Sequence, residues 1–396
     1  MRIFLRFFAT FAFFTVSPLS LRAAPIVFFS TGVDENGFVL PDFTDDPHYT
    51  VTVAPPNGST GAPNASASIP PEWNANGAFS RWIVPPGAPV SSDLEPFIFR
   101  QSFNISSPLV NESYILMRVS SDNFLQSVKV NDNETGIVYD GNFTLLSAQV
   151  AVQNGFVLGQ NTIDFPVINA TPNDNPVGLR VEVIDTYQPP ANHAAITGLV
   201  NTGAAVHDGP SLPHGSDVPV WTLTSSPAGI IPIKVHTSAG AFPIPPWVSD
   251  NNSSAWIGPD DADINGLPGD YEYSIAFDLT GFDLDSVVIR GMWATDNGGI
   301  GIFLNGVDTG NLPSPSFTDM TLFSLSVDEG EIFNPGLNTL SFRFNNAGDV
   351  INPTGFRAEF LTATGIQIIP EPGSLLFLTA TGLACMSRAR FRAISQ

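Results

Sequence analysis

The sequence predicts an all-β protein made of two tandem antiparallel β-sandwich domains of jelly-roll-like type. Three observations support this fold class. Apolar and polar residues alternate over short runs, the two halves of the chain share residues at corresponding positions, and no stretch between the chain ends combines helical periodicity with helix caps. With 34 glycines and 35 prolines in 396 residues, the chain has many turn-forming positions to join short strands.

The clearest strand is predicted between residues 271 and 279, where every second residue is apolar. A period of two places these side chains on one buried face. They are Tyr271, Tyr273, Ile275, Phe277 and Leu279. The matching run of the first half contains Phe97, Phe99, Phe103 and Ile105 in the same alternation. Further on, Asn305-Gly306 is a dipeptide that favours a tight hairpin turn.

The two halves form a tandem repeat. Trp73 and Trp82 recur 174 residues later as Trp247 and Trp256. A displacement of 177 carries Arg180 and Glu182 onto Arg357 and Glu359. Each repeat has the length of one domain. We predict one β-sandwich over residues 25–188 and a second over 189–366, with the boundary near the proline pair at 189–190.

Residues 1–24 have the order of a secretory signal peptide. Arg2 and Arg6 precede the apolar run 7–16, and the small residues Ala23 and Ala24 follow. This order predicts export across the inner membrane. A retained N-terminal membrane anchor is the alternative.

Residues 367–396 carry a second targeting pattern. The turn-forming sequence Pro370-Glu371-Pro372 precedes an apolar run at 375–386, which is shorter than the ~20 residues of an ordinary membrane-spanning helix. Three arginines follow: Arg388, Arg390 and Arg392. This order closely resembles the PEP-CTERM tail of exported proteins from exopolysaccharide-forming Gram-negative bacteria, except that single residues separate the arginines. The resemblance implies a short sorting helix in transient contact with the membrane, recognition by an exosortase, and removal of the tail. A short C-terminal anchor or a buried apolar tail is the alternative.

Charge excludes one class of partner. The chain has a formal net charge of −22, and six of its 15 basic residues lie in the two terminal segments, against Glu371 as their single acid. The remaining part therefore holds 9 basic and 36 acidic residues. Such a body repels phosphate backbones, which argues against nucleic-acid binding. The only cysteine, Cys385, lies in the tail, so no disulfide is expected in the processed protein.

One acidic turn matches a calcium-binding pattern. Asp261, Asp263 and Asn265 alternate before Gly266, and Glu272 follows. Side-chain oxygens on alternate residues and a late carboxylate suit a hard cation, so structural calcium is a candidate cofactor. The first half lacks these residues, and the alternative is an acidic surface turn that leads into a strand.

Candidate ligand-binding residues come from the repeat. Tryptophan faces can stack on sugar rings, and Asp and Asn at strand ends can bond sugar hydroxyls. The candidates are Trp247, Trp256, Trp293, Asp122, Asn123, Asp296, Asn297 and Asn305. Buried tryptophans that anchor the core, and Asx residues that fix turns through their own backbone, are the competing interpretations. Trp293 has Val119 as its counterpart and therefore marks a difference between the halves.

The segment 287–310, an apolar strand, an acidic turn and a strand ending in Leu-Asn-Gly, resembles galactose-binding-like jelly rolls. The resemblance implies loops that hold sugars at one end of the fold and a structural calcium ion.

Sequence signatures of enzymes are absent. There is no metalloprotease, nucleophile-elbow or phosphate-loop motif, and the five histidines show no metal-ligand spacing. His207 and His214 are predicted to be solvated loop residues. We expect a non-catalytic protein of the cell surface or biofilm matrix that associates weakly with exopolysaccharide. A purely structural matrix protein without a ligand and a diverged glycan-acting enzyme are the alternatives.

Overall fold

The structure is a computed structural model. It describes residues 25–368 except positions 57, 67–68, 88–89, 92–94, 140–142, 170–174, 260–263 and 312–315. The predicted signal peptide and the sorting tail from residue 369 onward lie outside these residues. The described part contains strands and two short 3-10 turns, Val110–Glu112 and Val327–Glu329, with no α-helix. The predicted all-β fold class is confirmed.

Two sets of strands follow each other along the chain. The first unit contains β1 Tyr49–Val53, β2 Asn64–Ser66, β3 Trp82–Val84, β4 Val90–Ser91, β5 Phe97–Ile105, β6 Tyr114–Asp122, β7 Phe124–Leu125, β8 Lys129–Val130, β9 Asn133–Glu134, β10 Val150–Val152, β11 Gly159–Ile168, β12 Asn175–Pro176 and β13 Gly178–Tyr187. The second unit contains β14 Ala194–Ala195, β15 Thr222–Ser225, β16 Ile233–His236, β17 Trp256–Pro259, β18 Asn265–Gly266, β19 Gly269–Asp278, β20 Phe282–Asp296, β21 Gly298–Leu304, β22 Val307–Asp308, β23 Thr321–Ser326, β24 Leu337–Asn346, β25 Asn352–Pro353 and β26 Gly355–Gln367.

Each unit is a sandwich of two antiparallel sheets. In the first unit the strand orders are β1-β5-β11-β8-β9 and β10-β6-β13-β3-β2. In the second unit they are β15-β19-β24-β21-β22 and β23-β20-β26-β17-β16. The two lists correspond strand for strand, and each unit adds one two-stranded ribbon, β4 with β12 and β18 with β25. The repeat seen in the sequence is therefore a repeat of topology.

The period-two runs form the inner faces of these sandwiches. In β19, residues 271, 273, 275 and 277 are buried against the facing sheet, and the strand pairs with β24 over its whole length. Leu279, the fifth predicted member, follows the strand and is also buried. Two aromatic-rich cores result, one in each unit. Burial of this apolar surface is the main stabilising term of each sandwich.

A third buried cluster joins the two units. Tyr114 and Leu116 of β6 belong to it together with Met292 of β20, Leu361 of β26 and Trp256 of β17. The sheet containing β6 in the first unit therefore packs on the sheet containing β20 in the second. This apolar contact holds the two units together, and a cleft lies between them.

No helix in the described part is both long and apolar enough to serve as a membrane span.

Candidate functional site

The predicted tryptophan platforms are buried. Trp256 and Trp293 have 0% of their surface exposed, and Trp247 has 8%. Trp247 and Trp256 pack on each other with ring centroids 4.5 Å apart, and both belong to the cluster that joins the units. Trp293 lies in the core of the second unit, 5.5 Å from the ring of Phe342. Stacking on a sugar is wrong for Trp256 and Trp293, which are fully buried as the core interpretation predicts. Trp247 keeps a small exposed area and lines the space between the two units, so its stacking role stays a prediction.

The two candidate aspartates point inward. Asp122 and Asp296 end β6 and β20 and are about 5% exposed. Asp122 accepts a hydrogen bond from Trp73 Nε1 at 2.9 Å. Burial raises the pKa of Asp122 to about 6, although the bond from Trp73 lowers it. Burial raises the pKa of Asp296 to about 7. Both carboxyls sit beneath the surface, so neither forms a binding rim.

The candidate asparagines fix turns. Asn297 Oδ1 accepts the Ala347 N–H at 2.7 Å. Asn305, in the left-handed backbone region at φ 52°, accepts the Thr339 N–H at 3.0 Å. The backbone N–H of Asn123 bonds Ile168 O at 3.2 Å. The side-chain bonds of Asn297 and Asn305 match the backbone-capping interpretation, whereas the bond of Asn123 involves only its backbone.

The structure describes only part of the predicted calcium turn. Asp261 and Asp263 lie outside the described residues. Asn265 is part of the ribbon strand β18. Glu272 Oε2 accepts a hydrogen bond from Arg343 Nε at 2.5 Å, and its Oε1 accepts one from Thr224 Oγ1 at 3.2 Å. Glu272 is therefore part of an ion pair on the sheet surface, and the calcium site stays a prediction.

A cleft with a volume of about 1140 Å³ lies between the two units. Residues 135–139 and 145–154 of the first unit form one wall. Residues 237–239 and 245–253 of the second unit form most of the other. The volume is slightly above the usual range of about 300–1,000 Å³ for small-molecule sites, and the cleft exists because the units are docked.

Neutral polar side chains line this cleft. Asn154 and Asn252 are exposed and have no side-chain hydrogen bond within the described part of the chain. Gln149 is half-buried, and its Oε1 has no hydrogen-bond partner there. A carboxamide both donates and accepts, as a sugar hydroxyl does. These groups are therefore suited to bind hydroxyl-rich ligands.

One aromatic ring in the cleft is partly accessible. Tyr139 is half-buried on the wall of the first unit, and its hydroxyl donates to Leu145 O at 3.1 Å. This bond orients the ring. Sequence reasoning missed Tyr139 and the three carboxamides, because they lie outside the repeated positions and only the docking of the units brings them together.

A buried ion pair forms part of the second unit's wall. Arg357 and Glu359 are both about 2% exposed, with Nη2 3.3 Å from Oε2. Arg357 Nε donates to Ser254 Oγ at 2.9 Å, and its Nη1 donates to Ser249 O. Glu359 Oε2 also accepts from Asn251 Nδ2 at 3.0 Å. Because these bonds occupy the polar groups of Arg357 and Glu359, the pair stabilises the wall of the cleft. The first unit repeats the arrangement with Arg180 and Glu182.

A smaller pocket of about 310 Å³ adjoins the cleft and shares part of its lining. Carboxamides from both units line it as well: Asn111, Gln153, Asn154, Asn201 and Asn252. Gln153 Nε2 donates to Phe360 O and Leu361 O across the interface. Asn201 is likewise occupied, since its Nδ2 donates to Ser253 O and its Oδ1 accepts the Phe360 N–H.

Glu112, His207 and Asp208 bring three ligand-type atoms within 4.8 Å of one another. His207 Nδ1 donates to Leu199 O at 2.8 Å, and Nε2 lies 2.9 Å from Glu112 Oε1. Burial lowers the pKa of His207, but the bonds to Glu112 and Leu199 and the negative charges raise it to about 9. Both ring nitrogens therefore carry protons, which leaves no lone pair for a metal. The prediction of a solvated loop histidine is wrong for His207.

Comparison with known proteins gives distant similarity. No protein-family model matches the chain, and no curated protein matches it. Among solved structures, the chain is similar to SGBP-B from a xyloglucan utilization locus of Bacteroides uniformis, with 11% identity, 88% of this chain and 92% of the other covered, and a TM-score of 0.23. It is similar to PNGase F, a glycosylasparaginase from Flavobacterium meningosepticum, with 8% identity, 74% and 97% covered, and a TM-score of 0.23. A glycosyl hydrolase family 2 member from Bacteroides cellulosilyticus has 9% identity, 82% and 36% covered, and a TM-score of 0.23, so the chain spans about a third of that enzyme. At these scores the matches carry no functional argument.

Proposed function

We propose that this protein is a non-catalytic glycan-binding protein of the bacterial surface or matrix, and that the glycan lies in the cleft between the two units. The observation that carries the proposal is the lining of that cleft. Tyr139 and Asn154 come from the first unit and Asn252 comes from the second, and the two asparagine side chains are exposed without a hydrogen bond among the described residues. An accessible ring with carboxamides around it suits the faces and hydroxyls of a sugar chain.

The carboxylates of the cleft support a non-catalytic role. Glycoside hydrolysis requires two carboxylates that face the scissile bond. Among the described lining residues, the cleft has Asp250 and Glu359 as its acids, and Glu359 is buried in the ion pair with Arg357. One accessible carboxylate does not make a glycosidase pair.

Isothermal titration of the processed protein with dextran, galactan and chitohexaose tests the proposal. Tyr139→Ala should weaken binding about tenfold or more, as loss of a stacking face and its hydroxyl contacts removes on the order of 1.5 kcal/mol. Tyr139→Phe keeps the ring and should retain most of the affinity. Gln160→Ala, an exposed carboxamide of β11 away from the cleft, serves as the control. Absence of binding to every polymer would favour the structural matrix protein instead.

We also propose that the protein is exported and that an exosortase processes its tail. The resemblance of residues 370–392 to the PEP-CTERM tail supports this. Intact mass spectrometry of the protein from the cell surface or medium should show loss of the N-terminal signal and of the C-terminal segment. Replacement of Arg388, Arg390 and Arg392 by Gln should retain the tail and the membrane association. A secreted wild-type protein with its C-terminal segment intact would contradict the proposal.

A further inference from the structure

We infer that the cleft selects an uncharged glycan and rejects glycans that carry uronate or sulfate groups. The inference rests on the proposed function of the cleft and specifies its ligand class. Three observations support this selectivity: the cleft lacks an available cation among its described lining residues, its accessible acid is negative, and the whole protein is negatively charged.

The cleft has no cation to offer an anionic sugar. Arg357 is the only basic residue among the described lining residues of the cleft and its adjoining pocket. Its guanidinium is about 2% exposed and donates to Ser254, Ser249 and Glu359. A bound uronate would therefore lose water without gaining an ionic partner, which is costly for a carboxylate.

The partly accessible charge among the described lining residues of the cleft is negative. Asp250 is half-buried there, and its Oδ1 accepts the Ser238 N–H at 2.7 Å. Asp208 of the adjoining pocket is already paired with His207, with 3.6 Å between Oδ1 and Nε2. The whole chain adds a net charge of −22. An anionic polymer is repelled both at long range and at the site.

The remaining bonding groups are neutral. Asn154 and Asn252 are exposed on opposite walls, and neither side chain has a hydrogen bond among the described residues. These groups match hydroxyls and acetamides, whose binding does not depend on charge. The geometry thus combines attraction for neutral sugars with repulsion of acidic ones, the two components of specificity.

Matched hexasaccharides test this directly, namely glucose against glucuronate chains and galactose against galacturonate chains. At least one neutral member should bind about tenfold or more tightly than its uronate. The Kd of that neutral chain should change less than about twofold between ~50 and ~500 mM NaCl, because screening acts on charged ligands.

Two variants separate this inference from the proposed function. Asn252→Lys places a cation on the wall and should raise uronate affinity about tenfold, whereas Asn252→Gln should not. The double variant Asn154→Ala with Asn252→Ala should weaken neutral binding. Tight uronate binding that is lost in the double variant would overturn the selectivity and leave the cleft as the glycan site. Failure of all four chains to bind, or binding unaffected by the double variant, would overturn both.

Discussion

Glu112 of the first unit forms an ion pair with His207 of the second unit, with Oε1 and Nε2 2.9 Å apart and both side chains largely buried. The other carboxylate oxygen accepts the backbone N–H of Ala363 at 2.8 Å. The loop that carries Glu112 spans residues 106–113, whereas its counterpart in the second unit spans only 279–281. The longer loop of the first unit therefore helps to hold the two units together on either side of the cleft.

This pair should make stability depend on pH in the alkaline range. The pKa of His207 is about 9 in the folded protein against 6.5 as its ordinary value. A raised pKa means that the contribution is complete below about pH 6.5 and is lost as the pH rises through about 9. The loss should be on the order of 2 kcal/mol in the free energy of unfolding. Urea unfolding between about pH 6 and pH 10 measures it.

His207→Gln is the control for that experiment. The variant should be less stable than the wild type near neutral pH and should approach it at high pH, because titrations elsewhere are common to both proteins. An unchanged difference across the range would contradict the assignment of this pair.

The two buried arginine–glutamate pairs should differ in strength. Glu359 has a side chain 3% exposed, whereas its repeat counterpart Glu182 is 21% exposed. Glu359→Gln leaves the guanidinium of Arg357 buried without its charge partner, which costs about 3–5 kcal/mol. Glu182→Gln should cost about 1 kcal/mol, because water already screens the partly exposed carboxylate of Glu182. Chemical unfolding of both variants compares the two sites, and equal losses would contradict the role of burial.

Asp296→Asn should stabilise the protein at alkaline pH. The pKa of Asp296 is about 7 in the folded state, raised by burial from 3.8. The folded state therefore binds this proton more tightly, and its stability falls as the pH rises from 3.8 to about 7. The amide cannot ionise. As the pH rises from about 4 to about 8, the free energy of unfolding of the variant should therefore increase relative to that of the wild type by on the order of 2 kcal/mol.

Asp122→Asn is the matched comparison for Asp296→Asn. The pKa of Asp122 reaches about 6, and its carboxylate accepts the Trp73 Nε1 hydrogen bond. The gain in the free energy of unfolding over the wild type should be smaller than for Asp296→Asn. It should also be complete at a lower pH, because the pKa of Asp122 is lower. Thermal unfolding over this range tests both variants; a wild type that grows more stable relative to Asp296→Asn as the pH rises would contradict the assignment.

Glu272→Gln should lower stability by the same amount with calcium and with EGTA. Glu272 pairs with Arg343, whose guanidinium lies 3.9 Å from the ring centroid of Phe303. Loss of this partly exposed pair should cost about 0.5–1 kcal/mol. Thermal unfolding in both buffers measures the effect. A loss seen only with calcium would restore Glu272 as a ligand, and Asp261→Asn would then be the next variant.

The aromatic content of the strands was predictable, but the exposure of individual rings was not. Residues 271–279 alternate in the sequence, and this run forms β19 and the buried residue after it. For Trp256 the sequence left two interpretations open, a sugar-stacking face and a buried core anchor. Its ring belongs to a cluster that includes Tyr114 of the other unit, and a contact 142 residues apart leaves no local pattern.

The sequence by itself determined the all-β fold class and the repeated order of strands, because strand periodicity reflects backbone geometry that acts over a few residues. The tertiary structure alone decided where a ligand could lie. Tyr139 and Asn252 line one cleft only because the β6 and β20 sheets pack together. That docking depends on the shapes and charges of two complete surfaces, with Glu112 and His207 among them, and these surfaces exist only after each sandwich has folded.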